Sequence, residues 1–203
     1  MLLPKHAPVR TVAPAIAPVT LAEAKLHCRV EHSVEDTLLT NLIGAATEMV
    51  DGWTGSIGQA LCEQTWRQDY DYWTRPLRLP LWPVISVSSV TYIDQNAATQ
   101  TLSASNYTLR RDALGAYLDF DDDFEFPTLE VNVRAVISVT YVAGYEDDDA
   151  TSPPTATVPE RIRVAILLLV GHWYAHREAV GQPMFEQPMA VRYMLEGVRR
   201  VPI

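Results

Sequence analysis

Between Ser33 and Trp53, apolar side chains recur every three or four residues, which is the period of an amphipathic helix. They form two neighbouring stripes along the predicted helix. The first stripe consists of Val34, Leu38, Leu42, Ala45 and Met49, and the second of Leu39, Ile43, Ala46, Val50 and Trp53. We predict a helix over residues 33–54 that Gly55 ends, and we expect its larger apolar side chains to be mostly buried, namely Leu38, Leu42, Met49 and Trp53.

A shorter helix is indicated before this one. Thr20 and Glu23 have the spacing of a capping box, in which each side chain binds the other residue's backbone N–H group. This pattern predicts a helix over residues 20–28.

The third predicted helix has a different surface. Pro159 lies where a first-turn proline is favoured, and it predicts a helix over residues 159–180 that Gly181 ends. The middle of this helix is apolar on every side, and we expect Ile166 and Leu169 to be buried. A helix without a polar face must be covered all round, by its own domain or by another subunit.

From Thr65 onward the period changes to two, as expected for half-buried strands. Four further strands are predicted, over residues 84–93, 107–110, 116–120 and 129–142. None of their connections has room for a crossover helix, so the β region 65–143 should be antiparallel. The predicted fold class is α+β, with a helical core of two long helices, short terminal helices and an inserted antiparallel β region. Residues 146–157 are predicted to be a charged, proline-bearing loop.

The two ends of the chain differ from the central domain, which we place at residues 19–181. Residues 1–18 contain four prolines and no acidic residue, which is typical of an extended arm that becomes ordered on a partner. Residues 182–203 form a C-terminal tail that carries one short predicted helix.

Composition narrows the function classes. The chain has 203 residues, 25 of them acidic and 16 basic, giving a net charge of −9 that disfavours sequence-independent binding to nucleic acid. The most apolar stretch is too short to cross a bilayer, and prolines near the N-terminus argue against a signal peptide. Cys28 and Cys62 are expected to be reduced, small apolar residues.

Two patterns could hold a metal ion. His172 and His176 are one helical turn apart, but Trp173 stands where a zinc protease has its catalytic glutamate. Asp119, Asp121, Asp123 and Glu130 have the spacing of calcium ligands in an EF-hand, but Phe124 replaces the required glycine. We predict no catalytic residues, no metal and no cofactor. A metal-dependent enzyme or a calcium-binding β module remains the alternative function.

Four segments in order resemble the head-tail connector (adaptor) proteins of tailed phages, to which proteins of gene-transfer-agent particles are similar. The segments are PVTLAEAKLHCRVE, EDTLLTNLIGAATEMVDGWTG, the β region ending in VTYVAGY, and VPERIRVAILLLVGHWYAHRE, with a weaker likeness in PMAVRYMLEGVRR. The resemblance covers residues 18–180. It implies a structural protein of the particle neck, assembled in the bacterial cytoplasm. It also implies a homo-oligomeric ring, expected to be twelvefold, between the portal of a DNA-filled capsid and the stopper or tail proteins, with DNA passing through unbound.

This resemblance leads to three predicted surfaces. The subunit interface is assigned to Ile166, Leu168 and Leu169. The portal-binding surface is assigned to the C-terminal tail, through Met189, Arg192, Tyr193, Met194, Leu195, Arg199 and Arg200. Two alternatives stay open: the tail could fold back on its own subunit, and the N-terminal arm could bind the portal instead.

The third predicted surface is acidic. Ten of the 25 acidic residues lie between Asp119 and Asp149. They would repel DNA phosphates if they faced the channel. The same loops could equally face bulk solvent.

Overall fold

The computed structural model describes residues 5–148, 150–151, 154–177 and 189–199. It confirms the mixed α+β class. The chain divides into two compact units. The β unit contains the residues up to Ala15 together with Glu63–Tyr145, and the helical unit contains Ile16–Cys62 and the chain from Glu146 to Val201.

The described residues of the β unit form two antiparallel sheets. Its strands are β1 (Val9–Val12), β2 (Gln64–Tyr70), β3 (Leu77–Arg78), β4 (Val84–Ile93), β5 (Thr99–Thr101), β6 (Tyr107–Asp112), β7 (Gly115–Phe120) and β8 (Ile137–Ala143). The larger sheet has the order β1-β2-β8-β4-β5, and the smaller one has the order β3-β7-β6. All of these strand pairs are antiparallel, as the short connections predicted.

The strand predicted over residues 129–142 is too long at its start. β8 begins at Ile137, and before it Leu129 makes only an isolated bridge to Asp94. The Glu130 carboxylate accepts hydrogen bonds from two following backbone N–H groups, which turns the chain away from a sheet. The N–H group of Ala135, which has a φ of 56°, donates to the Asp71 carboxylate at 2.8 Å.

The described N-terminal residues up to Ala15 lie on the β unit of their own chain, and Val9–Val12 form an extended strand. β1 pairs with the edge of β2, and all four of its side chains are exposed. Asp71 binds the arm through the side chains of Lys5 and His6, the latter with 2.8 Å between Nε2 and a carboxylate oxygen. The carbonyl of His6 accepts a hydrogen bond from the Gln68 side chain. These polar contacts provide within one chain the order that we expected from a partner.

The described residues of the helical unit form four helices and one short hairpin. The helices are α1 (Leu21–Cys28), α2 (Asp36–Val50), α3 (Glu160–Ala175) and α4 (Met189–Glu196), and the hairpin strands are β9 (Asp147–Asp148) and β10 (Thr155–Ala156). The segment predicted as a plain loop, 146–157, therefore contains paired strands. α3 packs against α1, α2 and α4. The expected burial of Ile166 and Leu169 is confirmed, and their own unit covers them.

The observed helix ends agree with the predicted ones in part. The capping box of α1 is present in both directions, with the Thr20 hydroxyl accepting from the Glu23 N–H group at 3.2 Å. α2 ends at Val50 instead of residue 54, because the Asp51 carboxylate accepts a hydrogen bond from Leu61 N–H at 2.7 Å and turns the chain. α3 ends at Ala175, whereas the predicted end signal at Gly181 lies outside the described residues.

The burial of α2 differs from the expectation. Its fully buried residues are those of the second stripe, Leu39, Ile43, Ala46 and Val50. Leu38, Leu42 and Trp53 are half-buried, and the expectation is wrong for Met49, whose exposed fraction is 37%. The apolar surface of α2 is wider than the part of it that packs against its own chain. One stripe is therefore covered, and the other is left accessible.

Candidate interaction surfaces

The accessible apolar side chains of α2 form one continuous surface. We call Leu38, Leu42, Ala45 and Met49 the outer stripe. Successive residues turn the helix by about 100°, which places the outer stripe about 100° from the centre of the buried stripe. Leu38 and Leu42 are half-buried, and Ala45 and Met49 are exposed. The outer stripe can therefore receive another apolar surface.

Helix α1 also has an accessible face. Its buried residue is Ala24, and the residues on the opposite side, Ala22, Leu26 and Arg29, are all exposed. We call these three residues the α1 outer face. Leu26 has an exposed fraction of 82%. This face combines an apolar side chain with a positive charge.

Helix α4 has two faces with different partners. Val191 and Leu195 are buried, because α4 packs against α3. Met189 and Tyr193 have exposed fractions of 64% and 65%. Arg192 lies beside them and binds Glu196 of the same helix at 2.9 Å. We call Met189, Arg192 and Tyr193 the α4 outer face.

The predicted portal-binding residues thus fall into separate groups. The structure brings Met189, Arg192 and Tyr193 together on one exposed face, whereas Leu195 faces the chain's own α3. Met194 is half-buried, Arg199 is exposed, and Arg200 lies outside the described residues. The packing of Val191 and Leu195 against α3 agrees with the alternative in which the tail folds back on its own subunit.

The predicted subunit-interface residues also differ in how far they are buried. Ile166 and Leu169 are buried within the helical unit, and Leu168 is half-buried. Val164, one turn before Leu168, has 36% of its surface exposed. Leu168 is therefore the member of this set that retains surface for another chain, and the interface role of the set remains a prediction.

The acidic loop is held by an aromatic cluster that the sequence analysis did not find. Trp73 stacks on Phe126 with 5.2 Å between ring centroids, and Phe120 meets Phe126 edge-on at 4.9 Å. Arg75 lies 4.8 Å from the Phe126 ring centroid and donates hydrogen bonds to backbone carbonyls of the loop, including that of Asp121 at 2.9 Å. This guanidinium is bound to several carbonyls, so it fixes the loop together with the aromatic packing.

The acidic side chains themselves point outward. Asp121, Asp122, Asp123 and Glu125 are exposed. Glu146 is exposed, and the β9 residues Asp147 and Asp148 are half-buried. All three belong to the helical unit, so the acidic residues between 119 and 149 are divided between the two units. The exposed acidic loop of the β unit is therefore residues 121–125.

The possible metal-binding patterns gain no support from the geometry. Asp119 lies in β7 and binds Arg110 at 2.7 Å, so the EF-hand spacing does not form a loop of ligands. The rings of His172 and His176 are close, with 5.0 Å between centroids. Among the described residues, no group of three histidine, cysteine, aspartate or glutamate side chains could hold a metal ion.

A charged cluster connects the end of α3 to the start of α2. Glu35 accepts hydrogen bonds from the Tyr174 hydroxyl and from Arg177, the latter with 2.6 Å between the charged atoms. These hydrogen bonds, that of Tyr174 first, lower the pKa of the Glu35 carboxyl below its usual value. The guanidinium of Arg177 also lies 4.7 Å from the Tyr174 ring centroid. The cluster has a structural explanation, since it joins two helices of one unit.

Cys28 and Cys62 are not joined by a disulfide bond; Cys28 is half-buried and Cys62 is buried. Burial, followed by the negative charges of Asp147 and Asp51, raises the pKa of the Cys62 thiol to about 12. Burial also raises the pKa of Cys28. Neither thiol is therefore activated as a nucleophile. Within the described part of the chain, no helix is long and apolar enough to span a membrane.

Within the described residues, the candidate interaction surfaces are therefore three helix faces with accessible apolar side chains and one fixed acidic loop. The family model described as "Phage gp6-like head-tail connector protein" matches residues 18–112 of this chain. The matched region begins before α1 and ends at the last residue of β6. The resemblance inferred from the sequence is thereby confirmed.

Solved structures share the fold over almost the whole chain. A chain of the "Virion of native gene transfer agent (GTA) particle" has a TM-score of 0.73 at 20% identity, covering 98% of this chain and 97% of that one. A chain of the "Neck of empty GTA particle computed with C6 symmetry" has a TM-score of 0.73 at 19% identity, covering 97% and 96%. A chain of the "Neck of native GTA particle computed with C12 symmetry" has a TM-score of 0.59 at 18% identity, covering 95% and 97%. No curated protein sequence gave a significant match.

Proposed function

We propose that this chain is a structural head-tail connector (adaptor) in the neck of a virion or gene-transfer-agent particle. The observation that carries this proposal is the family match over residues 18–112, which includes α1 and α2. The shared fold with chains of gene-transfer-agent particles supports the same location. The protein acts by binding other proteins and catalyses no reaction.

The proposed assembly is a homo-oligomeric ring. The neck structures that share the fold were computed with sixfold and twelvefold symmetry, and a twelvefold ring is compatible with both. Each subunit would contribute its helical unit to the ring, with α2 and α3 as the core of that unit. DNA would pass through the centre, between the capsid and the tail.

The proposed portal-binding surface is the α4 outer face, extended by Arg199 and Arg200. Met189 and Tyr193 supply exposed apolar area, and Arg192 supplies a charge that can leave Glu196 for an acidic residue of the portal. The N-terminal arm is the weaker candidate, because its backbone and its charged side chains already bind β2 and Asp71. The tail-side surface would then bind a stopper or another neck protein.

Deleting the C-terminal tail is not a specific test of this surface. Deleting the tail would remove Val191 and Leu195 from the surface of α3, so the deletion would damage the subunit itself. Replacing Met189 and Tyr193 by serine removes the exposed apolar area and keeps the buried anchor. We expect this double variant to fold normally and to yield filled capsids without tails, whereas a Thr108→Ser control variant on β6 should assemble normally.

We assign the exposed acidic loop, residues 121–125, to the DNA channel. Its negative charge would repel the phosphates of passing DNA and prevent adhesion. Replacing Asp121, Asp122 and Asp123 by lysine should leave assembly intact and slow the release of DNA from particles. Release at the wild-type rate would place this loop outside the channel.

The proposed function is tested by removing the protein from cells that produce the particle. We expect filled capsids that carry a portal but no tail, and tails that accumulate separately, with full rescue by the wild-type chain. Normal tailed particles in the absence of the protein would contradict the connector function. Loss of DNA packaging with tails still attached would contradict it as well.

A further inference from the structure

We propose that adjacent subunits of the ring bind each other through two specific helix faces: the α1 outer face of one copy packs on the outer stripe of α2 in the next copy. This inference rests on the proposed function, since it names the partner of surfaces within a ring. The occupant of the outer stripe is thus a second copy of this chain.

The first argument is the amount of apolar surface that α2 leaves accessible. The outer stripe continues the buried stripe around the helix, and Ala45 and Met49 in it are exposed. A surface helix of a monomer normally presents polar residues there. On α2 the polar residues Thr37, Thr40 and Asn41 lie farther round, so the outer stripe has the composition of a covered surface.

The second argument is charge. α2 contains two acidic residues and no basic one, and Glu48 lies exposed between Ala45 and the end of the helix. The α1 outer face carries Arg29, which is exposed one turn beyond Leu26. Packing Leu26 against Leu42 and Ala45 would leave Arg29 near Glu48, so apolar and charged groups would match at the same time.

The third argument is direction. Within one subunit α1 packs against α2 and α3, and its outer face lies on the side opposite its buried residue, Ala24. The α1 outer face is therefore turned away from the α2 of its own chain. Two different, complementary faces on one subunit form a head-to-tail contact, which is the kind of contact that closes into a ring.

The interface is tested by placing a charge in the outer stripe. Ala45→Arg keeps a good helix former at an exposed position, so the isolated chain should have an unchanged helical circular-dichroism spectrum and an unchanged thermal midpoint. We expect its amount per capsid in purified particles to fall by about tenfold or more. The matched control is Thr40→Arg, which puts the same charge on the polar side of α2 and should assemble like the wild type.

The outcomes separate this interface from the function itself. If the wild-type chain is absent from particle necks, the connector function fails. If the wild-type chain is present and Ala45→Arg is incorporated equally well, the connector function stands and the proposed interface is wrong. Equal loss of assembly with Thr40→Arg would also overturn the interface, because the effect would not be specific to the outer stripe.

A cross-linking experiment covers the case in which the charged variant does not fold. In a Cys28→Ser background, Leu26→Cys is combined with Ala45→Cys, and particles are treated with a short bismaleimide. We expect a ladder of cross-linked species beyond the dimer. The control combines Leu26→Cys with Thr40→Cys and should give no ladder. Absence of a ladder for the first pair in intact necks, or equal ladders for both pairs, would overturn the proposal.

Discussion

The N-terminal arm and helix α4 are both segments too small to form a core of their own, and each binds its own unit by a different chemistry. The arm exposes all four side chains of β1 and is held by the backbone ladder to β2 and by Asp71. α4 is held by two buried apolar residues, Val191 and Leu195. The arm is thus bound through polar groups, and α4 through burial of apolar side chains.

This difference shows which end is free to use its side chains elsewhere. In α4 the inner face makes the attachment, and the outer face retains exposed Met189 and Tyr193. In the arm the charged side chains make the attachment, and Lys5 and His6 are already bound to Asp71. A helix with two faces can remain attached to its subunit while it binds a partner, which favours α4 as the portal-binding element.

The largest predicted effect is the loss of the α4 anchor. Replacing Leu195 by alanine removes a buried side chain and should lower the free energy of unfolding by about 2–4 kcal/mol. Urea denaturation followed by circular dichroism measures this change. The control Tyr193→Ala removes a larger but exposed side chain of the same helix and should change the value by less than about 0.5 kcal/mol. Equal effects would show that α4 is not attached by its inner face.

The second effect is the release of the arm. Asp71→Asn removes the charge that binds Lys5 and His6 and weakens the bond to Ala135 N–H, so hydrogen exchange of the β1 amides should become several-fold faster. Exchange in α4 should not change. The matched control is Asp69→Asn at another position of β2. It weakens an ion pair with Arg67 and a hydrogen bond from Ser138. Unchanged protection of β1 in Asp71→Asn would mean that the backbone ladder alone holds the arm.

A smaller effect concerns pH. The hydrogen bond from Ala135 N–H, followed by those from Lys5 and His6, holds the pKa of Asp71 well below its usual range. A carboxyl whose pKa is lowered by folding contributes stability that is present above its unfolded pKa of about 3.9 and is lost as the pH falls through the folded pKa. Protection of β1 should therefore be equal at pH 7 and pH 5. Release of β1 between these values would contradict this assignment.

A modest effect is expected from salt. The Lys5 side chain is largely exposed, so 0.5 M NaCl should weaken its attraction to Asp71 and modestly speed exchange in β1. The apolar attachment of α4 should not weaken under the same conditions. A reversed order, with α4 more sensitive to salt than the arm, would contradict the difference between the two attachments.

The features that the sequence predicted well depend on neighbouring residues. The capping box at Thr20 is such a case, and so is the alternation in β2, because each is decided within a few residues of chain. The start of β8 could not be predicted, since it depends on Asp71 binding the Ala135 N–H group across the unit.

The candidate interaction surfaces also depend on contacts between residues that are distant in sequence, which the sequence pattern does not show. Periodicity identified both stripes of α2, but packing against α1 and α3 decides which one is buried. Within α4, the sequence predicted a short helix, but the predicted portal-binding set did not separate Leu195, which is buried, from Tyr193, which is exposed. The anchor of the acidic loop, Arg75, was missed because it is distant in sequence from the carbonyls that it binds.

The most direct measurement is a cryo-electron-microscopy reconstruction of the neck of particles that contain this chain. We predict a twelvefold ring of this fold between the portal and the tail proteins, with the α4 outer face against the portal and the α1 outer face on the α2 outer stripe of the next subunit. A neck in which this position is filled by a different protein, or in which this chain lies outside the path between portal and tail, would contradict the connector function.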